Sequence, residues 1–278
     1  MSQATAFRAG IARGRAEIRQ TLTNRQDLWN YLFPAVLFLV VMIFMRGASV
    51  PGTNFSLGSR TLPSVLGMGI AFGGLVTLMM SLAIEREDGT LLRAKAIPNG
   101  MLGYLVGKIV SVSGMTLMSQ CFVLIPSLFL LDGISIKWFT LIWVIALGLI
   151  ATLPLGAVAG SLFSNPRNSG LIMLPVMGLV AISGIFYPIS SMPEWVQGVA
   201  QVFPIYWLGL GMRSAMLPEN LSAVEIGESW RHLETLGVLG TWAVAGLLIA
   251  PMVLRRMARR ESGSSVAERR ERAMQRVT

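Results

Sequence analysis

Seven stretches of this chain run for 18 residues or more without one Asp, Glu, Lys or Arg: 28–45, 61–84, 109–131, 138–166, 168–193, 195–212 and 235–254. A helix needs about 20 mostly apolar residues to cross a hydrocarbon core of about 30 Å. In lipid, only helices and closed barrels satisfy their own backbone. The pattern therefore predicts an all-α integral membrane protein. Composition agrees. Of the 278 residues 53% are hydrophobic and 13% are charged, where a soluble chain carries about 25% charged residues. A soluble domain, a disordered chain and a coiled coil are excluded together.

The basic residues set the parity of the spans. Arg8, Arg13, Arg15, Arg19 and Arg25 precede the first stretch. Arg255, Arg256, Arg259, Arg260, Arg269, Arg270, Arg272 and Arg276 follow the last. Lysine and arginine mark the cytoplasmic side, so both termini are expected there and the number of crossings is even. The stretch 195–212 is the weakest span, interrupted by Gly198, Pro204, Gly209 and Gly211 and carrying the interface-favouring Trp195, Tyr206 and Trp207. It reads as an outer re-entrant or interfacial segment, placed over 193–212. Six transmembrane helices remain, at about 28–46, 61–84, 107–131, 138–163, 168–189 and 235–254. Eighteen of the 23 basic residues then face inward; Arg46, Arg60, Lys137, Arg213 and Arg231 face outward. This distribution accounts for the net charge of +9 without any nucleic acid.

Residues 1–27 read as a cytoplasmic segment without the apolar core of a signal peptide. Phe7, Ile11, Ile18 and Leu22 share one helical face, which predicts an amphipathic helix on the membrane surface. Residues 255–278 read as a basic, mobile cytoplasmic tail, with helix possible over Val266–Arg276. Between these ends, 28–254 is one transmembrane domain.

Several chemistries are missing. No span holds a charge at its centre, which argues against an ion-coupled carrier. Thr77, Ser111, Thr116, Ser119 and Gln120 are read as helix–helix hydrogen bonders or as a lightly polar lining for an amphiphile. Gly103–Lys108 resembles half a phosphate-binding loop but lacks its spacing and its hydroxyl residue. A lone His232 cannot build a metal site, and Cys121 in an apolar run reads as a buried, inert thiol. The pairs Gly69/Gly73 and Gly156/Gly160 fit small-residue packing, within one chain or between two.

Two segments carry a positive signal. In the inner loop 85–108, a charged cluster ends a span and Gly89 can break the helix. Thr90 can cap a short helix over Leu91–Ala96, which Pro98 ends. Such a helix, with Leu91, Leu92 and Ile97 exposed beside charges, suits a lever that docks on another protein. The second segment, 179–216, alternates aromatics with prolines and reads as an outer gate of broken helices.

Together these segments resemble the ABC-2 type permease family. Its loop motif is matched by Glu85, Arg86, Glu87, Gly89, Thr90, Leu91, Arg93 and Pro98, with Gly107 and Lys108 further on. Its outer motif is matched by Ser183, Gly184, Phe186, Pro188, Pro193, Trp195, Pro204 and Arg213. Tyr187 joins the outer gate by position. The likeness covers about residues 8–260 and is closest to exporter permeases of the daunorubicin-resistance kind. One departure is Ala94-Lys-Ala-Ile97, which stands where the family commonly has a second Leu-Leu pair.

The resemblance implies a plasma-membrane export permease with no catalytic residues, metal or cofactor of its own. A separate ABC ATPase subunit would carry ATP and magnesium and dock beneath the loop, coupled through Glu85, Arg86, Glu87, Gly89, Thr90, Leu91, Arg93 and Pro98. A second permease subunit, identical or homologous, would complete a path for an amphiphilic drug-like or lipid-like substrate through membrane lipids. Two other readings stand beside it: a permease for polysaccharide or lipid-linked glycan, and a non-transporting membrane sensor or assembly protein.

Overall fold

The computed structural model describes residues 2–48, 56–162, 169–187 and 189–260. Arg167, Pro188 and the tail helix expected over Val266–Arg276 lie outside the described residues. Helix α1 spans Gln3–Thr23 and α2 spans Arg25–Met45. Asn24 divides them, its side chain accepting from the Gln26 amide to cap α2. α3 (Leu57–Ala71) passes through a π-helical turn (Phe72–Thr77) into α4 (Leu78–Glu87). A short α5 (Thr90–Lys95) precedes the long α6 (Gly100–Leu130) and then α7 (Trp138–Leu162). α8 (Ser169–Ile182), α9 (Glu194–Val202), α10 (Pro204–Met216) and α11 (His232–Arg260) complete the chain. No strand forms among the described residues.

Among the described residues, five helical stretches are long and apolar enough to cross a membrane: Arg25–Met45, Leu57–Arg86, Gly100–Leu130, Trp138–Leu162 and His232–Leu254. The outer surface of the bundle suits lipid. Phe44, Phe129 and Phe139 are each more than four-fifths exposed. Cys121 also faces outward from α6, so it is exposed and not buried as its apolar run suggested. Proline inside α2, α6, α7 and α11 is accommodated without ending the helix.

The expected fifth span, 168–189, departs from the sequence reading. The described part of α8 covers 14 residues, about 21 Å at 1.5 Å per residue, and it stops at Ile182, before the expected end at 189. It ends because the Ser183 hydroxyl donates to the Val180 carbonyl and Gly184 adopts φ +62°. The chain nevertheless changes ends here. Arg86 donates to the Ser161 carbonyl at the end of the bundle that carries α5. Arg213 donates to the Ile185 carbonyl at the opposite end, where α7 begins beside α10 through Lys137 N–H and the Ala215 carbonyl. Ser161 and Ile185 therefore lie at opposite ends of the bundle.

α1, α5 and the last turn of α11 gather at one end. Lys95 Nζ donates to the Arg259 carbonyl at 3.4 Å. α1 runs parallel to α6 and packs through small residues: a Cβ on Gly10 would lie 2.6 Å from the Gly103 carbonyl, and one on Gly14 2.6 Å from that of Gly107. Ala6, Gly10 and Gly14 are the buried residues of α1. The apolar face expected from sequence is divided: Ile18 reaches Gly114 of α6, while Phe7 and Leu22 stay exposed. Backbone approach at glycines won because it lets two helices touch along their length.

The π turn has a packing role. Gly73 faces Thr116 of α6, and its neighbour Gly74 faces Thr152 of α7. Gly69 lies against Gln120, Gly156 against the backbone of Gly74 and Leu75, and Gly160 against Leu82. Both glycine pairs singled out in the sequence thus pack within the chain. A Cβ on Gly74 would run into the Thr152 hydroxyl, whereas one on Gly178 meets nothing within 4 Å. Overpacking a filled core costs about 1–3 kcal/mol. Gly74→Val should therefore lower the thermal transition of the detergent-purified chain clearly, and Gly178→Ala should leave it in place. Equal transitions would show that the close approach at the π turn does not bear on stability.

Candidate functional site

The loop motif folds into a helical reversal at the α5 end. Gly89 has φ +74°, a conformation that favours glycine, and it is the N-cap of α5. Thr90 is the first helical residue and not the cap expected from sequence; its hydroxyl accepts from Arg93 at 3.0 Å. Leu91 and Ala94 are buried anchors, so Leu91 does not belong to an exposed docking face. Arg93, Lys95, Ile97 and Pro98 are exposed. Asn99, in the left-handed region, starts α6.

Behind α5 lies a charge cluster. Lys108 of α6 is 7% exposed. Its Nζ pairs with Glu85 at the end of α4 and lies 3.0 Å from Glu17 of α1. Arg13 reaches Glu17 at 2.9 Å and Glu85 at 3.5 Å, and its guanidinium stands 5.0 Å from the Tyr104 ring centre. Two cations and two carboxylates thus close a neutral group joining α1, α4 and α6. Burial pushes the Glu17 carboxyl up, but the Arg13 and Lys108 cations beside it outweigh that and hold it below its usual value. Arg86 ties the same end of α4 to α7. Glu85 and Arg86, read from sequence as docking residues, are therefore turned toward the bundle. Glu87 ends α4.

Above this cluster a cavity of about 930 Å³ opens between α2, the α3–π–α4 helix and α6. Tyr31, Phe38, Met68, Phe72 and Met80 give it an apolar wall, and Thr77, Thr116, Ser119 and Gln120 line it as well. Four of the five polar residues read as a lining thus come together; Ser111 is not among them. Glu85 closes the end nearest α5.

The opposite end carries the expected gate. Residues 193–212 form a hairpin of two helices, α9 and α10, broken at Phe203–Pro204. The hairpin tip reaches deep. Phe203 stacks on Trp242, whose Nε1 donates to the Val202 carbonyl at 2.7 Å. Trp242 lies about 15 Å along α11 from His232. Every residue of α10 is buried, against α3, α7 and α11, so α10 is a core helix and does not lie flat at an interface. In α9, which is amphipathic, Trp195 is 73% exposed. Pro193 caps α9 and Pro204 opens α10, where a missing N–H costs nothing.

Arg213 locks the hairpin. It grips Glu225 at 2.7 and 3.2 Å and donates to the Gly184 and Ile185 carbonyls at 3.2 and 3.3 Å. Both charged residues are 5% exposed. The Tyr187 hydroxyl donates to the Ala181 carbonyl, and Phe186 is partly exposed beside this cluster. Arg231 adds a second tie, stacking over Trp207 at 4.8 Å and donating to Gln201 at 2.7 Å.

Sequence reasoning missed Glu225, Glu17 and the π turn. Glu225 stands in a loop with no local pattern pointing to Arg213. The Gly10/Gly14 and Gly103/Gly107 spacings were readable as a matched pair and would have brought α1 onto α6. His232 opens α11, near the Trp143 ring at 6.5 Å. No cluster of His, Cys, Asp or Glu among the described residues could hold a metal ion.

A family model described as an ABC-2 family transporter protein matches residues 21–250. No curated protein matches the chain.

Breaking a buried ion pair by removing one partner costs about 3–5 kcal/mol, whereas replacing both with apolar groups is often neutral. Arg213→Met should therefore destabilise the chain more than Arg213→Met combined with Glu225→Leu, as read by thermal unfolding in detergent. A double variant at least as unstable as the single one would remove the pair as the hairpin's lock.

Proposed function

The chain belongs to the ABC-2 transporter family, and from that premise we propose that it is the export permease of an ATP-driven pump whose ATPase is a separate chain. It is a multi-pass membrane subunit of an ABC transporter. The reading of α5 as the ATPase dock rests on one observation. Leu91 and Ala94 fix α5 to the bundle while Arg93, Lys95 and Ile97 stay exposed at the end where α1 and α11 converge. A short anchored helix of this kind transmits force better than a free loop.

In this reading the α5 end is cytoplasmic, both termini lie there, and the membrane is the plasma membrane. The excess of lysine and arginine at that end supports the orientation. Ser161 and Ile185, at opposite ends of the bundle, support a sixth crossing by the chain that joins them. The α9–α10 hairpin, entering from the far side and reaching about half the bundle's depth, is the outer gate. Closure of two ATPases beneath two permease subunits would move α5, and the charge cluster behind it would carry that motion into α4 and α6. The cavity's apolar walls and hydroxyls support an amphiphilic cargo.

The test is purification of the tagged chain in mild detergent with mass spectrometry of what accompanies it. An ABC ATPase should co-purify in stoichiometric amount, and Arg93→Glu with Ile97→Asp should reduce its recovery about tenfold, as for loss of about 1.4 kcal/mol of contact. Unchanged recovery from this variant would remove α5 as the dock. Absence of any ATPase under several gentle conditions would remove the motor-driven reading.

A further inference from the structure

The wall of the 930 Å³ cavity carries hydroxyls that the helices themselves do not use. Elsewhere in the bundle, hydroxyls bond back to the preceding turn: Thr61 to the Leu57 carbonyl at 2.8 Å, Ser127 to Val123 at 2.7 Å, Thr152 to Gly148 at 2.8 Å. Thr77, Thr116 and Ser119 make no such bond to any described residue. All three line the cavity, Thr77 from the π turn and the other two from α6. Thr116 is 4% exposed and stands against Gly73 of the π turn, so Thr77 and Ser119 present the more accessible hydroxyls. Gln120, 6% exposed, spends its amide donor on the Leu66 carbonyl at 2.6 Å.

The charge of the site is equally defined. Glu85 is the only acidic or basic residue on the cavity wall among the described residues, and Lys108 and Arg13 already pair with it. With Glu17, the group sums to zero. A cation in the cavity would find no unmatched negative charge, and an anion would meet Glu85. Either would be desolvated without compensation, which is costly. An uncharged ligand loses nothing on this account, and each hydrogen bond it makes to a waiting hydroxyl adds to affinity.

We infer that the cavity within a single chain binds an uncharged amphiphile, an apolar body of drug size whose hydroxyl or carbonyl groups meet Thr77, Thr116 and Ser119. A volume of 930 Å³ suits this size class. That this ligand is the cargo rests on the permease reading; its binding does not, and requires neither the ATPase nor a second permease chain.

The test uses the full chain alone in phosphatidylcholine nanodiscs, with a pyrene series as probes: pyrenebutanol, pyrenebutylammonium, pyrenebutyrate and butylpyrene. Saturable fluorescence beyond that of empty discs reads binding. The alcohol should saturate at one per chain and bind about tenfold or more tighter than either ion, as expected for uncompensated charge burial. Thr77→Val, Thr116→Val and Ser119→Ala together should weaken the alcohol about tenfold, in line with two or three lost hydrogen bonds, and leave butylpyrene unchanged. Preference for the ammonium, equal binding of the alcohol and butylpyrene, or phospholipid that no probe displaces would each overturn the inference. The ranking on the unaltered chain decides the matter even if the triple variant does not fold. Because no ATPase is present, a negative result here leaves the co-purification test untouched, and the reverse holds as well.

Discussion

A buried ammonium must be paired, and Lys108 of α6 meets that requirement with groups from two other helices. Glu85 comes from α4, Glu17 from α1, and Arg13 completes the neutral set. Taking these charges out of water is tolerable only while all partners stay in reach. The constraint fixes the depth of α1 along α6, which the glycine contacts at Gly103 and Gly107 make possible. It also fixes where α4 stops, and so where Gly89 turns the chain into α5. The placement of the exposed face of α5 follows from a cluster on its hidden side.

The opposite end of the bundle solves a different problem with the same device. A hairpin that stops half way along a bundle leaves a break in helical backbone at depth, and its polar groups need partners inside the protein. Trp242 accepts that role for the Val202 carbonyl, and Trp207 for that of Gln201. Arg213 then holds the Gly184–Ile185 turn and Glu225 against α10. Between the two charged clusters the helices approach closely at Gly69, Gly73, Gly74 and Gly156, within a core of large apolar side chains. Without a hydrophobic driving force between helices in lipid, close backbone packing of this kind is what association draws on.

Much of this was legible in the sequence because it depends on long, simple patterns. Charge-free runs located the five helices among the described residues that are long and apolar enough to cross a membrane, and Gly89 marked the reversal before α5. What was not legible depended on pairing across the fold. Arg213 was singled out, but Glu225, twelve residues on, carries no local mark. Glu85 was assigned to a docking face because the sequence does not say which way a helix end points; its partner Lys108 turns it inward. Leu91 was misplaced for the same reason, since a six-residue helix is too short for periodicity to separate its faces. The α8 region misled in another way: composition counts apolar residues through Pro188, but a serine hydroxyl and a left-handed glycine end the helix at Ile182.

The central claim is that the charge cluster makes α1, α4, α5 and α6 one moving piece. Spin labels at Phe7 and Ile97, both half-exposed, would report its rigidity in the chain reconstituted with the ATPase proposed as its partner and with Cys121 replaced. A second pair at Ile97 and Trp195 would report motion of that piece against the hairpin. The account predicts that ATP leaves the mean Phe7–Ile97 distance unchanged while the Ile97–Trp195 distance shifts. A Phe7–Ile97 shift as large as the other would contradict it, because α5 would then be moving past α1 and not with it.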